Sequence, residues 1–291
     1  LRGVLTALCA VKYKMKIHLN EQPREIDAHS TLLSLRVQEK PDADVVILNG
    51  AQMSGDADLT EGDRIVLIKR GEIPDSDTLQ SLIYARHTPG VHDKIKHSTV
   101  GIAGVGGLGS NVATALIRLG VGRLILADFD VVEPSNLNRQ QYFVDQLGLP
   151  KVEALKQTLV RINPYVTVET HHLRLTPGNV PQVFRHVKVM VEAFDRAEEK
   201  AMLTQSFASH FPEIPFVMAS GVAGYGPGED IKIQKLGKHI YVVGDMTHAA
   251  RPGSGLMAPR VGLAGYMQAN LVLRLLLGVE DDRQQGSDNK K

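Results

Sequence analysis

Residues 99–110 read TVGIAGVGGLGS, an apolar β-branched run that gives way to four glycines within Gly104–Gly109. A buried strand followed by a glycine turn opens most dinucleotide- and nucleotide-binding α/β folds, so the sequence on either side decides the architecture. Downstream, SNVATALIRLG (110–120) has helical periodicity and ends at a glycine, and RLILADFD (123–130) is a second buried strand. LPKVEALKQTLVRINP (149–164) is a helix with Pro150 at its start and Asn163-Pro164 as its stop. VTVETHHL (166–173), VKVMVEAFD (187–195), the helix AEEKAMLTQSFASHF (197–211) and PFVMASG (215–221) continue the alternation. Strands interleaved with helices predict an α/β fold with a doubly wound, mostly parallel, Rossmann-like sheet. DIKIQKLG (230–237) and HIYVVGD (239–245) are expected as antiparallel C-terminal strands, and a long apolar helix over 257–277 closes the module.

The chain has 291 residues, 43% hydrophobic and 22% charged, with a formal net charge of +1. That balance implies no bulk attraction to nucleic acid or to a membrane surface. Cys9 is the only cysteine, which excludes an internal disulfide and a structural zinc cluster built on cysteine pairs, and fits a reducing, cytoplasmic setting. Residues 1–14 combine a basic residue with a short apolar run broken by Thr6, and are read as a leader or a mis-assigned start.

Residues 15–71 form a smaller, strand-rich module. KIHLN alternates, PREI comes after a turn, TLLSLRV (31–37) is a helix opened by Ser30 or Thr31, DVVILNG (44–50) stops at Asn-Gly, and EGD (61–63) turns into RIVLI. Two strands, a helix and further strands are the order of a small β-grasp, ubiquitin-like domain. The module resembles the sulfur carriers of thiazole and molybdopterin synthesis. Such carriers end in a free Gly-Gly, whereas here the last strand runs on into KRGEIP (69–74), so this module has no terminal carboxylate to activate. GEIPDSD opens a linker over 72–80, with the larger module next at 81–280 and a polar tail at 281–291.

The glycine turn alone does not say which phosphate it holds. Gly104, Gly106, Gly107 and Gly109 offer bare backbone N–H groups at a helix start. Asp128, 24 residues beyond Gly104, is placed to accept ribose hydroxyls, with Asp130 as a further polar candidate beside it. Nicotinamide chemistry, however, gives no task to the polar residues between Ser135 and Asp195. DFDVVEPSNLNRQQYF brings Ser135, Asn136 and Arg139 just past the second strand, and GLPK brings Lys151 to a helix start. Cationic groups there neutralise a polyphosphate as a leaving group departs. Asp195 comes after an apolar strand at the carboxyl edge, where a lone carboxylate suits Mg²⁺ beside a triphosphate. Read as ordinary surface features, Arg139 is an ion-pair residue, Lys151 a solvated lysine and Asp195 a helix N-cap.

The string GxGGLGS, DxD, SNLNRQ, GLPK and AFD resembles the bacterial branch of the E1-like superfamily, the ThiF/MoeB/HesA type, over about residues 79–278. The resemblance implies ATP-dependent adenylylation of the C-terminal glycine of a ubiquitin-like sulfur carrier, the thiamin carrier in first place and a molybdopterin-type carrier as the alternative. It assigns the phosphates to Gly104–Gly109 and Lys151, the ribose to Asp128, the nucleotide loop to Ser135, Asn136 and Arg139, and Mg²⁺ to Asp195. It also implies a homodimer in which an arginine near the module start, matched here by Arg86 in YARHTPGV, reaches the partner's ATP. The cysteine pairs that hold zinc in many relatives are missing, as is a cysteine in the module to accept sulfur, so a separate donor protein is implied. Arg196 stands where relatives commonly carry asparagine. A nucleotide-binding scaffold without catalysis remains open. His87, His92 and His97 lack a matched carboxylate cluster and read as surface or interface residues, and HAARPGSG (248–255) reads as a long loop near the closing helix.

Overall fold

A computed structural model describes residues 13–279; the leader and the polar tail expected at the two ends lie wholly or mostly outside them. The chain divides into two compact units, one ending at His87 and the other beginning at Thr88.

In the first unit, strands β1 (Lys14–Leu19), β2 (Gln22–Asp27), β3 (Val45–Leu48), β4 (Ala51–Met53) and β5 (Arg64–Ile68) form one sheet in the order β2-β1-β5-β3-β4. The central pair, β1 and β5, is parallel and the other pairs are antiparallel, which is the β-grasp arrangement. Asn49 and Gly50 both adopt positive φ, so the Asn-Gly read as a stop is the tight turn joining β3 to β4. Helix α1 (Leu32–Glu39) opens with Thr31 and Ser34 in a reciprocal capping box. Its Leu32 and Leu35 pack with Met15, Ile17, Ile65 and Leu67 in the unit's own apolar core. Helix α2 (Ser76–Tyr84) is capped by Asp75, whose side chain accepts from the N–H groups of Asp77 and Thr78. Half of the stretch read as linker is therefore helical, with the exposed carboxylate of Asp75 as its N-cap.

The second unit begins with α3 (Val91–Ile95). Strands β6 (Thr99–Ala103), β7 (Arg123–Asp128), β8 (Thr167–His172), β9 (Val189–Glu192), β10 (Phe216–Ala219), β11 (Lys232–Lys235) and β12 (Ile240–Gly244) form a seven-stranded sheet ordered β11-β12-β10-β9-β6-β7-β8. Only β11 runs antiparallel, against β12, while β12 itself pairs parallel with β10. The remaining helices are α4 (Gly107–Leu119), α5 (Lys151–Ile162), α6 (Val180–Val183), α7 (Ala197–His210) and α8 (Ala258–Leu276). One apolar cluster joins α4, α5 and α8 to one side of the sheet, and a second, around Phe184 and Phe207, joins α6 and α7 to it. The helix read over 257–277 packs Val261, Ala264, Ala269 and Val272 inward but leaves Leu263 and Tyr266 exposed. The chain order reverses between β6 and β9, and the crevice at the carboxyl ends of those two strands is where a sheet of this kind places a ligand.

Candidate active site

Gly104 leaves β6 with φ +84°, and a Cβ there would lie 2.9 Å from the carbonyl oxygen of Ala193 at the end of β9. Glycine is thus required twice over, by backbone conformation and by the close approach of the two strand ends. Gly109, in the first turn of α4, packs against the carbonyl of Gly104, so it serves the turn's closure rather than lining it. Gly106 caps α4 with no side-chain hydrogen bond, leaving the first N–H groups of that helix available to an anion.

A cleft of about 420 Å³ opens here, a size suited to a nucleotide. Of the residues singled out from the sequence, Gly104, Gly106, Gly107, Asp128, Asp130, Asn136, Arg139, Lys151 and Asp195 line it. Gly109 and Ser135 do not; the Ser135 carbonyl accepts from the Arg139 guanidinium at 3.2 Å. Arg86 belongs to the first unit.

The charges in the cleft are arranged, not scattered. Asp128 is buried; one oxygen accepts Val105 N–H and the other Asp130 N–H, each at 2.8 Å. Burial raises its pKa above the ordinary carboxylate value, with the two N–H bonds and nearby Lys151 opposing. Tyr142, behind the turn, donates to the Val105 carbonyl at 2.6 Å, and burial holds its phenol protonated far above the usual range. Lys151 lies at the N-terminus of α5 with its side chain only 8% exposed, and its ammonium meets Asp130 at 2.8 Å. It is not the solvated first-turn lysine of the plainer reading. Arg139 has no carboxylate partner; it bonds the Ser135 carbonyl and the Asn138 amide oxygen, and its buried Nε has no partner at all among the described residues. An anion would satisfy it.

Asp195 is exposed in the cleft, and among the described residues its carboxylate has no hydrogen-bond or ion-pair partner. The N-cap of α7 is Arg196, without a side-chain cap, so the N-cap role weighed for Asp195 does not apply. One free carboxylate facing a polyphosphate-sized space fits Mg²⁺, which keeps waters and substrate oxygens as its other ligands. No group of three or more metal-ligating side chains gathers elsewhere among the described residues. His87, His92 and His97 belong to no such group.

Sequence reasoning missed several lining residues. Gln140 and Glu133 sit in the same DxD…NRQ segment, and Lys200 lies one helical turn and more beyond Asp195. Lys200 pairs with Glu192, a fully buried carboxylate whose pKa is raised by that burial. A single acid inside the apolar run VKVMVEAF was the available signal. His248, Ala249 and Ala250 bring the 248–255 loop to the cleft wall. That loop is anchored by Asp245, whose carboxylate takes bonds from Thr247 N–H, His248 N–H, His248 Nδ1 and the guanidinium of Arg260. Arg260 also donates to the carbonyls of Gly226 and Pro227, both at 2.8 Å. Burial works against ionisation of Asp245, but the bonds outweigh it and hold its pKa well below the usual carboxylate range.

Comparison with known proteins places the chain in a family. The model of the ThiF family matches residues 80–289, and that of ThiS-like ubiquitin matches residues 15–71. Ubiquitin-like modifier-activating enzyme 5 of Caenorhabditis elegans is 48% identical over 85 residues, covering 29% of this chain and 20% of the relative. The chain therefore spans about a fifth of the length of that relative. Molybdopterin-synthase adenylyltransferase of Haemophilus influenzae is 29% identical over 194 residues, covering 64% of this chain and 78% of the relative. Among solved structures, the tRNA N6-threonylcarbamoyladenosine dehydratase of E. coli in complex with ATP superposes with a TM-score of 0.64 at 22% identity, over 74% of this chain and 100% of that one. The last similarity concerns the fold. The family match covers most of the chain, and the chain belongs to the ThiF family.

Proposed function

We propose that this ThiF-family chain uses ATP to adenylylate the C-terminal glycine carboxylate of a ubiquitin-like sulfur carrier of the thiamin type, releasing pyrophosphate. The supporting observation is that Lys151 and the half-satisfied Arg139 line one cleft with Asp195, which has no partner among the described residues, around a single glycine turn. A carboxylate is a poor electrophile because an oxide would have to leave. Its oxygen instead attacks the α-phosphorus of ATP; that O–P bond forms as the bond to the bridging α–β oxygen breaks, and the electron pair leaves with pyrophosphate. No proton moves, so the site needs no general base and no covalent nucleophile. Positioning and charge neutralisation suffice.

In this reading Lys151 and Arg139 neutralise the phosphates, the N–H groups at Gly106–Gly107 hold them, and Asp128 receives the ribose. Asp195 would hold Mg²⁺, which when bound offsets charge on the departing pyrophosphate. Sulfur comes from a separate donor protein. The thiamin-type carrier is preferred because the chain's first unit is itself ThiS-like, while the similarity to a molybdopterin-synthase adenylyltransferase favours the second candidate. The protein acts as a homodimer joined through apolar surface that includes Leu263 and Tyr266, with Arg86 serving the partner's ATP.

Carrier-dependent ATP–pyrophosphate exchange tests the reading. Exchange with a Gly-Gly-ended thiamin carrier, and less with a molybdopterin-type carrier, is expected. ATP binding without exchange for any carrier would leave the nucleotide-binding scaffold. Mixing Arg86→Ala with Lys151→Ala subunits should restore one working site per mixed dimer; a mixture as inactive as its parents, after verified subunit exchange, removes the trans role.

A further inference from the structure

Strand β9 is apolar until its last residue, Glu192, which has no exposed surface. Both of its carboxylate oxygens accept from Lys200 Nζ, at 2.9 and 3.0 Å. The third Lys200 bond goes to the Ala219 carbonyl at the end of β10, at 2.9 Å. An ammonium has three protons, and all three are taken, so Lys200 reaches the cleft wall with none left for a phosphate. Glu192 Oε1 also accepts Phe194 N–H at 2.6 Å, and the Glu192 carbonyl accepts Gln268 Nε2 of α8 at 3.3 Å.

Burying such a pair is poor economy for folding alone, since apolar residues of the same volume often do as well or better. What an apolar pair could not do is join these parts. The carboxylate grips the backbone one residue before Asp195, the ammonium sits on α7 after it, and the same ammonium fixes Ala219, next to the cleft residues Ser220–Val222.

We propose that Glu192 and Lys200 are positioning residues that set the Asp195 turn for Mg²⁺-bound ATP, acting through the Phe194 N–H and the Ala219 carbonyl. The inference rests on the nucleotide reading of the cleft and adds the device that holds its metal-facing carboxylate in place.

The test measures direct binding of ATP, with EDTA and with Mg²⁺, to wild type, Glu192→Gln, Lys200→Met and Lys200→Arg, each checked for folding by thermal melting. A displaced Asp195 should cost about tenfold of the Mg²⁺-dependent tightening, well within the loss a roughly 1 Å misplacement can cause. Binding in EDTA should stay at the wild-type level in Glu192→Gln and Lys200→Met, and Lys200→Arg should recover most of the Mg²⁺ response. Loss of metal-free binding in Lys200→Met alone would make Lys200 a phosphate ligand and overturn the proposal. Equal losses with and without Mg²⁺, or an unchanged Mg²⁺ response in the folded variants, overturn it too. Should Glu192→Gln not fold, the two Lys200 variants decide the matter on the same criteria. A wild-type protein that binds no ATP overturns the functional reading itself, and this inference with it.

Discussion

The two units bury charge in opposite ways. In the β-grasp unit the described core is apolar apart from one carboxylate, and ion pairs such as Lys14–Glu25, Arg24–Glu39 and Lys69–Asp42 lie at the surface. Its buried polar side chain, Asp63, is satisfied by the Asn49 amide and the Thr60 N–H. The parallel-sheet unit buries Asp128, Lys151, Glu192 and Arg260, together with Asn136, Gln140 and Gln268. These gather at or just behind the carboxyl ends of β6, β7, β9 and β12. A parallel sheet does not need charge there, and desolvating it costs stability. A site that must hold a polyphosphate does need it. The β-grasp unit therefore reads as a domain built to be stable, and the other as one that gives up some stability at one edge to position anions.

The largest effect should come from cutting into that edge. Lys151→Ala and Asp195→Ala are each expected to lower ATP–pyrophosphate exchange by about a hundredfold or more, the usual loss of one preorganised charge contact, or about 2.7–4 kcal/mol. Circular dichroism and the melting temperature should barely change for Asp195→Ala, because that carboxylate is exposed and unpartnered. Near-wild-type exchange in both would detach the charged edge from catalysis.

A buried pair beside the cleft should show its effect in stability instead. Asp245→Asn removes the partner of the Arg260 guanidinium, whose side chain is 4% exposed, and should cost about 3 kcal/mol by denaturant unfolding. The pH dependence has a definite sign. Asp245 has a lowered folded-state pKa, so its contribution is complete above the unfolded carboxylate value of about 3.9. Below that value the unfolded chain takes up a proton while the folded chain keeps the ionised pair, and the contribution is lost as pH falls toward the folded pKa. Asp245→Asn should flatten the acid limb of the stability curve. An unchanged limb would mean that other carboxylates carry it.

How much of this was legible in sequence depends on range. Strand and helix alternation, the glycine turn and the N-terminal β-grasp order come from local periodicity, and the folded chain agrees with them. Asp128 ends β7 and Asp195 follows β9 by three residues, and strand ends converge in a parallel sheet; Arg139 and Lys151 lie farther along the chain, yet all four line the cleft. Spacing alone does not say which glycines of the turn face the cleft: Gly109 packs against the Gly104 carbonyl instead of lining it. Glu192–Lys200 and Asp245–Arg260 were not legible as pairs. Each pair is separated by the loop from a strand end to the next helix, and nothing local states which charge will meet which. The helix that begins within the linker over 72–80 is not legible for a subtler reason: Asp75 in a Pro-containing acidic stretch looks the same whether or not it caps a helix.

Exposed pairs in the first unit should matter far less. Arg24 meets both oxygens of Glu39 at 3.0 Å, yet its side chain is 54% exposed. Arg24→Ala is expected to cost about 0–1 kcal/mol, and less in high salt, because water and ions screen the pair. A loss as large as that of Asp245→Asn would erase the contrast between the two units.

The smallest effect is expected from the largest change. Every residue lining the cleft lies between Gly104 and Val261, within the second unit. That unit also carries two apolar clusters of its own, around Leu116, Leu124 and Val243 and around Phe184 and Phe207, whose members among the described residues all lie at or beyond Val91. The first unit likewise closes its core within Met15–Leu67. We therefore expect that removing residues 1–75 leaves a soluble protein with a cooperative melt and an ATP affinity close to that of the full chain. The cut falls just before Ser76, so α2 and Arg86 remain. Carrier-dependent exchange then separates two roles for the β-grasp unit. If it docks or orients the carrier, exchange falls through a raised KM for carrier with kcat unchanged. If it competes with the carrier for the same surface, the truncated protein exchanges at lower carrier concentration than the full chain. An insoluble or ATP-blind truncation would show that the two units fold as one, and the contrast in how they bury charge would then describe two halves of a single domain.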